Sequence, residues 1–474
     1  MCKDLFNDLT DTRLLSNWKK VTWDKKYRLI YTLQEKIYLT ALQGDTLKMG
    51  QFQEMILTSL TAKLVVIKEV THGMNYSFDI KTKIQLALSL KWMNSVSLYS
   101  YWEQLNLEIS YSTFSTVYYK SIRLLIFLFL EPQWEAYAEP CSFGSRSQSN
   151  KKDMIVYLAN QIKQQPYNYF LLGSFTYQLK ATHINLLIKK IHNTDLVKEC
   201  IENYLRSSLN DESGTYSNND LLNALLMNML THGIKYHLAN NKLIKNLDAP
   251  KASSLTNSFF CVSYRNYLGI FYSKHLTTQW VMYLLEYSFT RLYLQYSPIS
   301  YNLNSFPTAF NLLGFSFNVK SNYIKLTPTL NSQKKFIYQI RQVLYKKDFL
   351  GRTRGLTHLS LQEAIIKINP IISSWAWNYQ IITKSKDLEM LDEIINNTIY
   401  RWQIKKYKKN IRNKWINQCI RYINNQRRIA EGKQVLKLLT LEYKKNQRYN
   451  ILYSHRSIYD QDKLYWVYRS KLHK

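Results

Sequence analysis

The chain has 474 residues, a formal net charge of +31 from 64 Lys and Arg against 33 Asp and Glu, and a hydrophobic content of 46%. That apolar fraction can offset the entropy of ordering the chain, which excludes a disordered polyelectrolyte; at roughly 100–200 residues per domain, several structural units are expected. The five cysteines, Cys2, Cys141, Cys200, Cys261 and Cys419, are too scattered for a CxxC pair or a disulfide framework, so a reducing compartment is expected. Gly and Pro number only 12 and 8, which favours long helices over many short strands. The 38 tyrosines, with abundant Asn, Ile and Lys, have the look of an A+T-rich genome such as an organelle's. Such a bias does not explain the charge, because Asp and Glu codons also tolerate A+T richness and acids are half as numerous as bases. A polyanionic partner follows.

In chain order, Leu29, Leu33, Ile37 and Ala41, then Phe52, Ile56, Leu60 and Leu64, recur at helical spacing. Residues 24–70 are therefore predicted to form two amphipathic helices joined near Gly44-Asp45. Residues 84–138 are mostly apolar and aromatic, and Pro132 and Pro140 are expected to close them. Their longest apolar run, Leu124 to Leu130, is seven residues, short of the ~20 that cross a bilayer. The acidic start at Asp4, Asp8 and Asp11 is unlike a secretory or transit leader, so neither a membrane nor a targeting segment is expected. Apolar runs at 169–172, 259–262 and 310–317, separated by helical stretches, predict a sheet with helices packed on it. From 331 onward the pattern is helical again, with Asn369-Pro370 as the clearest break.

Charge marks the organisation. Residues 401–474 hold 20 Lys and Arg against 4 Asp and Glu, half the net charge in the last sixth of the chain. Trp402, Tyr407, Trp415, Tyr422, Tyr443 and Tyr459, among other aromatics, are interleaved with these cations. Two readings stay open: a surface that neutralises phosphates and stacks on bases, or a solvated helical face whose aromatics pack inward.

Several stretches resemble group II intron-encoded reverse transcriptases in family order. Asn17-Trp18, Trp23, Leu33-Gln34-Glu35-Lys36-Ile37, Ala41, Ser59-Leu60-Thr61-Ala62-Lys63-Leu64, Val70-Thr71 and Asn75 are similar to the N-terminal region. Leu130-Glu131-Pro132-Gln133-Trp134-Glu135-Ala136 and Glu139-Pro140-Cys141-Ser142-Phe143-Gly144-Ser145-Arg146 resemble the "LEPxWEAxxEPxSYGFR" stretch. Gly214-Thr215 with Leu225-Leu226-Met227-Asn228 and Gly233 is similar to the "GTPQGG…LLxNxxLxG" block, and Leu312-Leu313-Gly314-Phe315 to the "FLGF" strand. Ile368-Asn369-Pro370-Ile371-Ile372-Ser373-Ser374-Trp375 with Asn378-Tyr379 resembles the signature of the maturase domain, domain X.

The resemblance implies two-metal polymerase chemistry on three aspartates, because Mg²⁺ is a hard cation that takes oxygen ligands. The sequence departs from the family at those positions. Leu171-Leu172-Gly173-Ser174-Phe175 stands where "LDADI" is expected, and Tyr264-Arg265-Asn266-Tyr267 where "YADD" is expected, so the degenerate positions are Ser174, Arg265 and Asn266. "PQGG" has become Tyr216-Ser217-Asn218-Asn219, which removes the glycines that let backbone approach a nucleotide. A displaced alignment would make Asp211 or Asp220 the ligands instead. The nine His residues form no His-Glu-x-x-His or Cys-His cluster, and lone His72, His232 and His358 read as core or surface residues. Gly351-Arg352-Thr353-Arg354-Gly355 lacks Walker or Rossmann spacing and reads as a basic loop.

What the resemblance implies is an α+β, predominantly helical chain. Its parts are an N-terminal helical region (1–80), degenerate right-hand fingers and palm (81–325), a thumb-like helical maturase domain X (326–422) and a basic aromatic extension (423–474). The expected function is a non-enzymatic intron maturase that binds group II or group III-like intron RNA and stabilises its folded form, leaving the transesterification to the RNA. No metal or cofactor is expected. Candidate RNA-binding residues are Arg146, Arg341, Lys346, Lys347, Arg352, Arg354, Lys367, Trp377, Tyr379, Lys384, Lys386, Arg401, Lys405, Lys406, Lys408, Lys409, Arg412 and Lys414, with Trp375 assigned to the core. DNA and membrane are not expected as partners, a homodimer stays open, and a plastid is favoured over a mitochondrion. Two rival functions remain: a reverse transcriptase with displaced ligands, and a general organellar RNA chaperone.

Overall fold

The computed structural model describes residues 18, 21–72, 74, 78–91, 93, 95–105, 109–144, 146, 149–164, 167, 169–176, 180–191, 193–210, 221–234, 259–272, 278–301, 309–319, 323–382, 386–407, 415, 418–423, 426–446, 456–460 and 462–473. They fall into two units: 1–150, 167–304 and 452–466 in the first, and 151–166, 305–451 and 467–474 in the second.

The first unit opens with α1 (Trp23–Leu42), which buries Ile30, Leu33, Ile37 and Ala41 along one stripe. Gly44, at φ +74°, turns the chain, and the Asp45 carboxylate accepts from the Lys48 N–H at 3.1 Å to cap α2 (Thr46–Thr58). The second predicted helix is in fact two. Ser59 is extended, and its hydroxyl accepts from the Ala62 N–H at 3.4 Å, so the chain restarts as α3 (Leu60–His72). A serine that satisfies the orphan N–H groups of a new helix costs little, and apolar spacing does not register it. α4 (Ile80–Ser89), α5 (Ser95–Gln104) and α6 (Tyr111–Ala136) follow.

Pro132 does not end α6; it lies inside it. Proline removes one N–H and orphans the carbonyl four residues back. That carbonyl, of Leu128, accepts instead from Gln34 Nε2 at 2.8 Å, and the next, of Phe129, from Gln53 Nε2 at 3.2 Å. α1 and α2 therefore repair the ladder that Pro132 breaks. Among the described residues α6 is the one helix long and apolar enough to cross a membrane. Half of that stretch is buried inside the protein, and its C-terminal turns bury Glu131, Gln133 and Glu135.

A five-stranded sheet completes this unit in the order β1-β3-β4-β2-β5: β1 (Ser142–Phe143), β2 (Tyr169–Thr176), β3 (Phe259–Tyr264), β4 (Tyr267–Tyr272) and β5 (Gln295–Tyr301). β1 runs parallel to β3, and the other pairs are antiparallel. The helices of this half are α8 (Ala181–Lys190), α9 (Asp195–Asn210), α10 (Leu221–Thr231) and α11 (Thr278–Arg291).

The second unit holds α7 (Lys151–Gln164) and a meander of β6 (Ala309–Leu312), β7 (Phe315–Val319) and β8 (Ile324–Pro328). Leu313 and Gly314, at φ +49° and +88°, make its first turn, the conformation that a two-residue hairpin of matching twist requires. α12 (Leu330–Leu344) buries Gln333, Phe336, Ile340 and Leu344. β9 (Tyr345–Lys347) and β10 (Thr353–Gly355) form a hairpin, followed by α13 (Leu361–Asn378) and α14 (Lys386–Tyr407). Asn369-Pro370 does not break α13. The Ser360–Glu363 capping box starts this helix, and the Asn369 side chain bridges outward, donating to the Val435 carbonyl at 3.0 Å and accepting from the Lys437 N–H at 2.9 Å. A small sheet of β11 (Ile420–Ile423), β12 (Gln426–Glu431) and β13 (Gln434–Val435) leads to α15 (Leu439–Asn446). α16 (Lys463–His473) ends the chain.

The expected class, α+β and predominantly helical, is the one adopted. The expected boundaries at 325/326 and 422/423 fall inside β8 and β11. Changes of composition mark neither, because hydrogen-bonded strands run through both.

Candidate nucleic-acid interface

In the first unit, Ser174 on β2 faces Tyr267 of β4 across the ladder, and Phe175 N–H donates to the Asn266 carbonyl at 3.0 Å. Arg265 and Asn266 form the two-residue turn of the β3–β4 hairpin, with Arg265 at φ +53°. The three degenerate positions thus converge at one end of the sheet. Gly144, at φ +88°, backs the turn so closely that a Cβ there would meet Arg265 N at 3.1 Å. What converges is a hydroxyl, an amide and an exposed guanidinium. A fixed cation repels a divalent metal and none of the three supplies a carboxylate. Among the described residues no group of three His, Cys, Asp or Glu side chains could hold a metal ion. Asp211, Asp220 and 216–219 lie outside the described residues.

In the second unit the basic residues gather. A groove of about 820 Å³ is lined by Arg341 of α12, Lys346 and Lys347 of β9, Thr353 of β10, and Asn397, Arg401 and Lys405 of α14. Among the described residues no carboxylate lines it. The α14 residues follow from helical spacing: Leu391, Ile395, Ile399 and Trp402 face inward, which turns Ile394, Asn397, Arg401 and Lys405 to the groove. Trp402 locks the hairpin base to the helix, its Nε1–H donating to the Leu356 carbonyl at 3.1 Å while Gly355 packs on its ring. Burial pushes the Tyr345 hydroxyl above its ordinary pKa range, and Arg341 and Arg401 pull the other way, which places both guanidinium groups close to it. Lys405 Nζ sits 5.3 Å from the Tyr345 ring centroid. Such a surface can neutralise several phosphates at once.

Of the candidates named from sequence, Arg341, Lys346, Lys347, Arg401 and Lys405 line this groove, and Arg352 and Arg354 are exposed on the same hairpin. Lys367 is exposed on α13 but does not line it. Lys406 donates to the Leu359 carbonyl at 2.6 Å, so its charge ties the element ends together. Trp377 is half-buried beneath Lys152, whose Nζ is 3.8 Å from its ring centroid. Lys384, Lys408, Lys409, Arg412 and Lys414 lie outside the described residues, and Lys386 is described only as the first backbone position of α14.

Two expectations are corrected. Arg146 is a buried structural cation: its guanidinium grips Glu135 at 2.8 Å with both side chains under 5% exposed, and it also donates to the Arg456 carbonyl at 2.9 Å. Burial pushes the Glu135 carboxyl up, and Arg146 draws it back. Tyr379 is 5% exposed, packed on Trp375 at 4.4 Å between ring centroids, with its hydroxyl on Ser332 and the Gly314 carbonyl. Trp375 is core, as expected, at 7% exposure.

The aromatics of the basic tail divide by burial. Trp402, Trp415, Tyr443 and Tyr459 are buried, whereas Tyr422 is 78% exposed opposite Arg427 on the β11–β12 hairpin. Tyr459 is a core residue of the first unit, its hydroxyl bonded to buried Glu131 and its ring beside Tyr31 and Tyr38. Two residues lacked a sequence signal. Tyr338 lines the groove at 59% exposure, and Phe349 stands 95% exposed at the hairpin tip.

Comparison with known proteins finds likeness in two stretches of the chain. Residues 18–90, which span α1 to α4, match the N-terminal domain of reverse transcriptase. Residues 347–420, which carry the hairpin tip, β10, α13 and α14, match the group II intron, maturase-specific domain. In these two stretches the chain is similar to reverse transcriptases and to group II intron maturases. The chain is 21% identical over 399 residues to "Maturase-like protein 1" of Euglena gracilis, covering 76% of this chain and 77% of that protein. To the protein of the same name from Euglena longa it is 21% identical over 394 residues, covering 76% and 78%. Much of the groove, Lys347, Thr353, Asn397, Arg401 and Lys405, falls within the stretch that matches the maturase-specific domain, and Arg341 and Lys346 precede it.

Proposed function

We propose that this protein is an organellar intron maturase that binds group II or group III-like intron RNA through the basic groove of its second unit and promotes splicing without polymerase chemistry. The observation that carries the reading is the convergence of Arg341, Lys346, Lys347, Arg401 and Lys405 on one concave surface that no carboxylate lines among the described residues. Folded RNA is recognised through phosphates, 2′-hydroxyls and exposed loops, and a concave cationic wall serves that purpose. By stabilising the compact RNA, the protein would favour the RNA's own transesterification. Ser174, Arg265 and Asn266 support the non-enzymatic part, since three polymerase ligand positions meet in space and offer no carboxylate. Immunoprecipitation of the native protein followed by sequencing of the bound RNA tests the proposal. Enrichment of one or a few unspliced introns is expected; a flat profile across transcripts would replace it with a general RNA chaperone. Organelle fractionation followed by immunoblotting for the protein reports the compartment, for which we propose a plastid.

A further inference from the structure

The hairpin beside the groove ends in an exposed aromatic tip. Phe349 is 95% exposed and its neighbour Leu350 58% exposed, in a chain that buries most of its other phenylalanines. Leaving a phenyl ring in water forgoes the stabilisation that burial brings; a lone exposed ring is ordinary, and what sets this one apart is its rigid mounting on a hairpin whose strands line a cationic groove. The tip is ordered. Asp348 accepts from the N–H groups of Leu350 at 3.1 Å and Arg352 at 2.8 Å, and from Arg354 Nε at 3.1 Å. The Asp348 N–H donates to the Arg352 carbonyl at 3.0 Å, and Gly351 supplies the positive φ of +74° that closes the loop. Partial desolvation pushes the Asp348 carboxyl up, but those hydrogen bonds outweigh it and hold it below the ordinary range, so the tip's one carboxylate is consumed internally.

Resting on the RNA-binding reading above, we propose that Phe349 is a stacking wedge that inserts beside an unpaired base while the adjoining groove holds the flanking phosphates. The hairpin strands carry Lys346 and Lys347 into the groove wall, so one rigid element presents both an aromatic face and cations. This combination recognises single-stranded or bulged nucleic acid, because every unstacked base has a π-face and every nucleotide a phosphate. A pre-ordered tip makes the contact at low entropic cost. The concavity beside the tip favours RNA over a flat anionic membrane, which would meet Phe349 and Leu350 but not the groove.

The test compares binding of the full-length protein to two short RNA duplexes, identical except that one carries a bulged base. The wild type is expected to favour the bulged RNA by about tenfold, a typical value for one base–aromatic stack. Phe349→Ala should lose that preference while keeping the affinity for the paired duplex and its salt dependence; Phe349→Trp should retain it. Thermal melting is expected to be unchanged, because the ring contacts little. Equal affinity of the wild type for both RNAs, or a Phe349→Ala variant with the preference intact, would overturn the wedge and leave the RNA-binding reading standing. Failure of the wild type to bind either RNA would remove both. Anionic vesicle binding that disappears in Phe349→Ala would reassign the tip to a membrane.

Discussion

Arg146 sits in a stretch whose resemblance to a polymerase motif invited a functional role, yet its guanidinium spends its donors on Glu135 and the Arg456 carbonyl. Replacing it with methionine should leave Glu135 buried without a counter-charge, at a cost of about 3–5 kcal/mol in unfolding free energy. The loss should depend on pH in a definite sense. Without Arg146 the folded-state pKa of Glu135 rises further above its unfolded value of about 4.3, so the variant is most stable below that pH and loses stability as pH rises. Urea titrations at acid and neutral pH check this: the gap to wild type should widen toward neutrality, and a constant gap would show that Glu135 is not the charge left behind. The folded fraction should bind RNA as wild type does. Sequence gave Arg146 and Tyr379 the residue types of a binding surface, but one-dimensional order does not reveal that Glu135 lies against the first or that Trp375 and Phe315 cover the second. Pro132 is the converse case. Its helix-breaking chemistry is visible in the sequence, whereas the Gln34 amide that repairs the break comes from 94 positions away.

At the scale of elements, α12, the β9–β10 hairpin and α14 build the groove, each by a rule that sequence displays in part. The stripe at Ile394, Asn397, Arg401 and Lys405 is legible from helical period, and so is the burial of Phe336 and Ile340 that turns Arg341 outward. The hairpin was not legible: Gly351-Arg352-Thr353-Arg354-Gly355 shows its charge, but Asp348 as the organiser of the loop and Phe349 as its tip carry no periodic signal. This sorts the cations. Arg341 and Arg401 line the groove, and removing both to alanine should reduce the slope of log affinity against log salt by about 1.5, since each phosphate contact contributes roughly 0.7–0.9. Arg352→Ala should take away a further share with no change in melting temperature. Arg354→Ala should act differently, because it also strips Asp348 of its side-chain partner and frees a carboxylate beside the site. Binding isotherms across a salt series separate the two. An unchanged slope for the Arg341 and Arg401 double variant would dissociate the groove from RNA binding.

At the scale of the whole molecule, the scaffold around positions 174, 265 and 266 and the chemistry proposed to be absent there can be tested separately. β2 and the β3–β4 turn bring positions 174, 265 and 266 together, the convergence that a shared metal site would need. Changing Ser174→Asp, Arg265→Asp and Asn266→Asp should be tolerated structurally. Asp accepts the positive φ at 265 better than most residues, and Arg265 and Asn266 are not buried. Three convergent carboxylates in place of a cation should then bind a divalent metal, detectable as a Mn²⁺-dependent rise in melting temperature. Primer extension should nevertheless stay absent. Catalysis also needs backbone to close on the incoming nucleotide, and Tyr216-Ser217-Asn218-Asn219 carries side chains where the family's glycines give that access. Metal binding without extension would place the loss of activity in two steps, ligands and nucleotide loop. DNA synthesis by the triple variant would show instead that the carboxylates were the sole barrier, and synthesis by the wild type would overturn the non-enzymatic reading altogether.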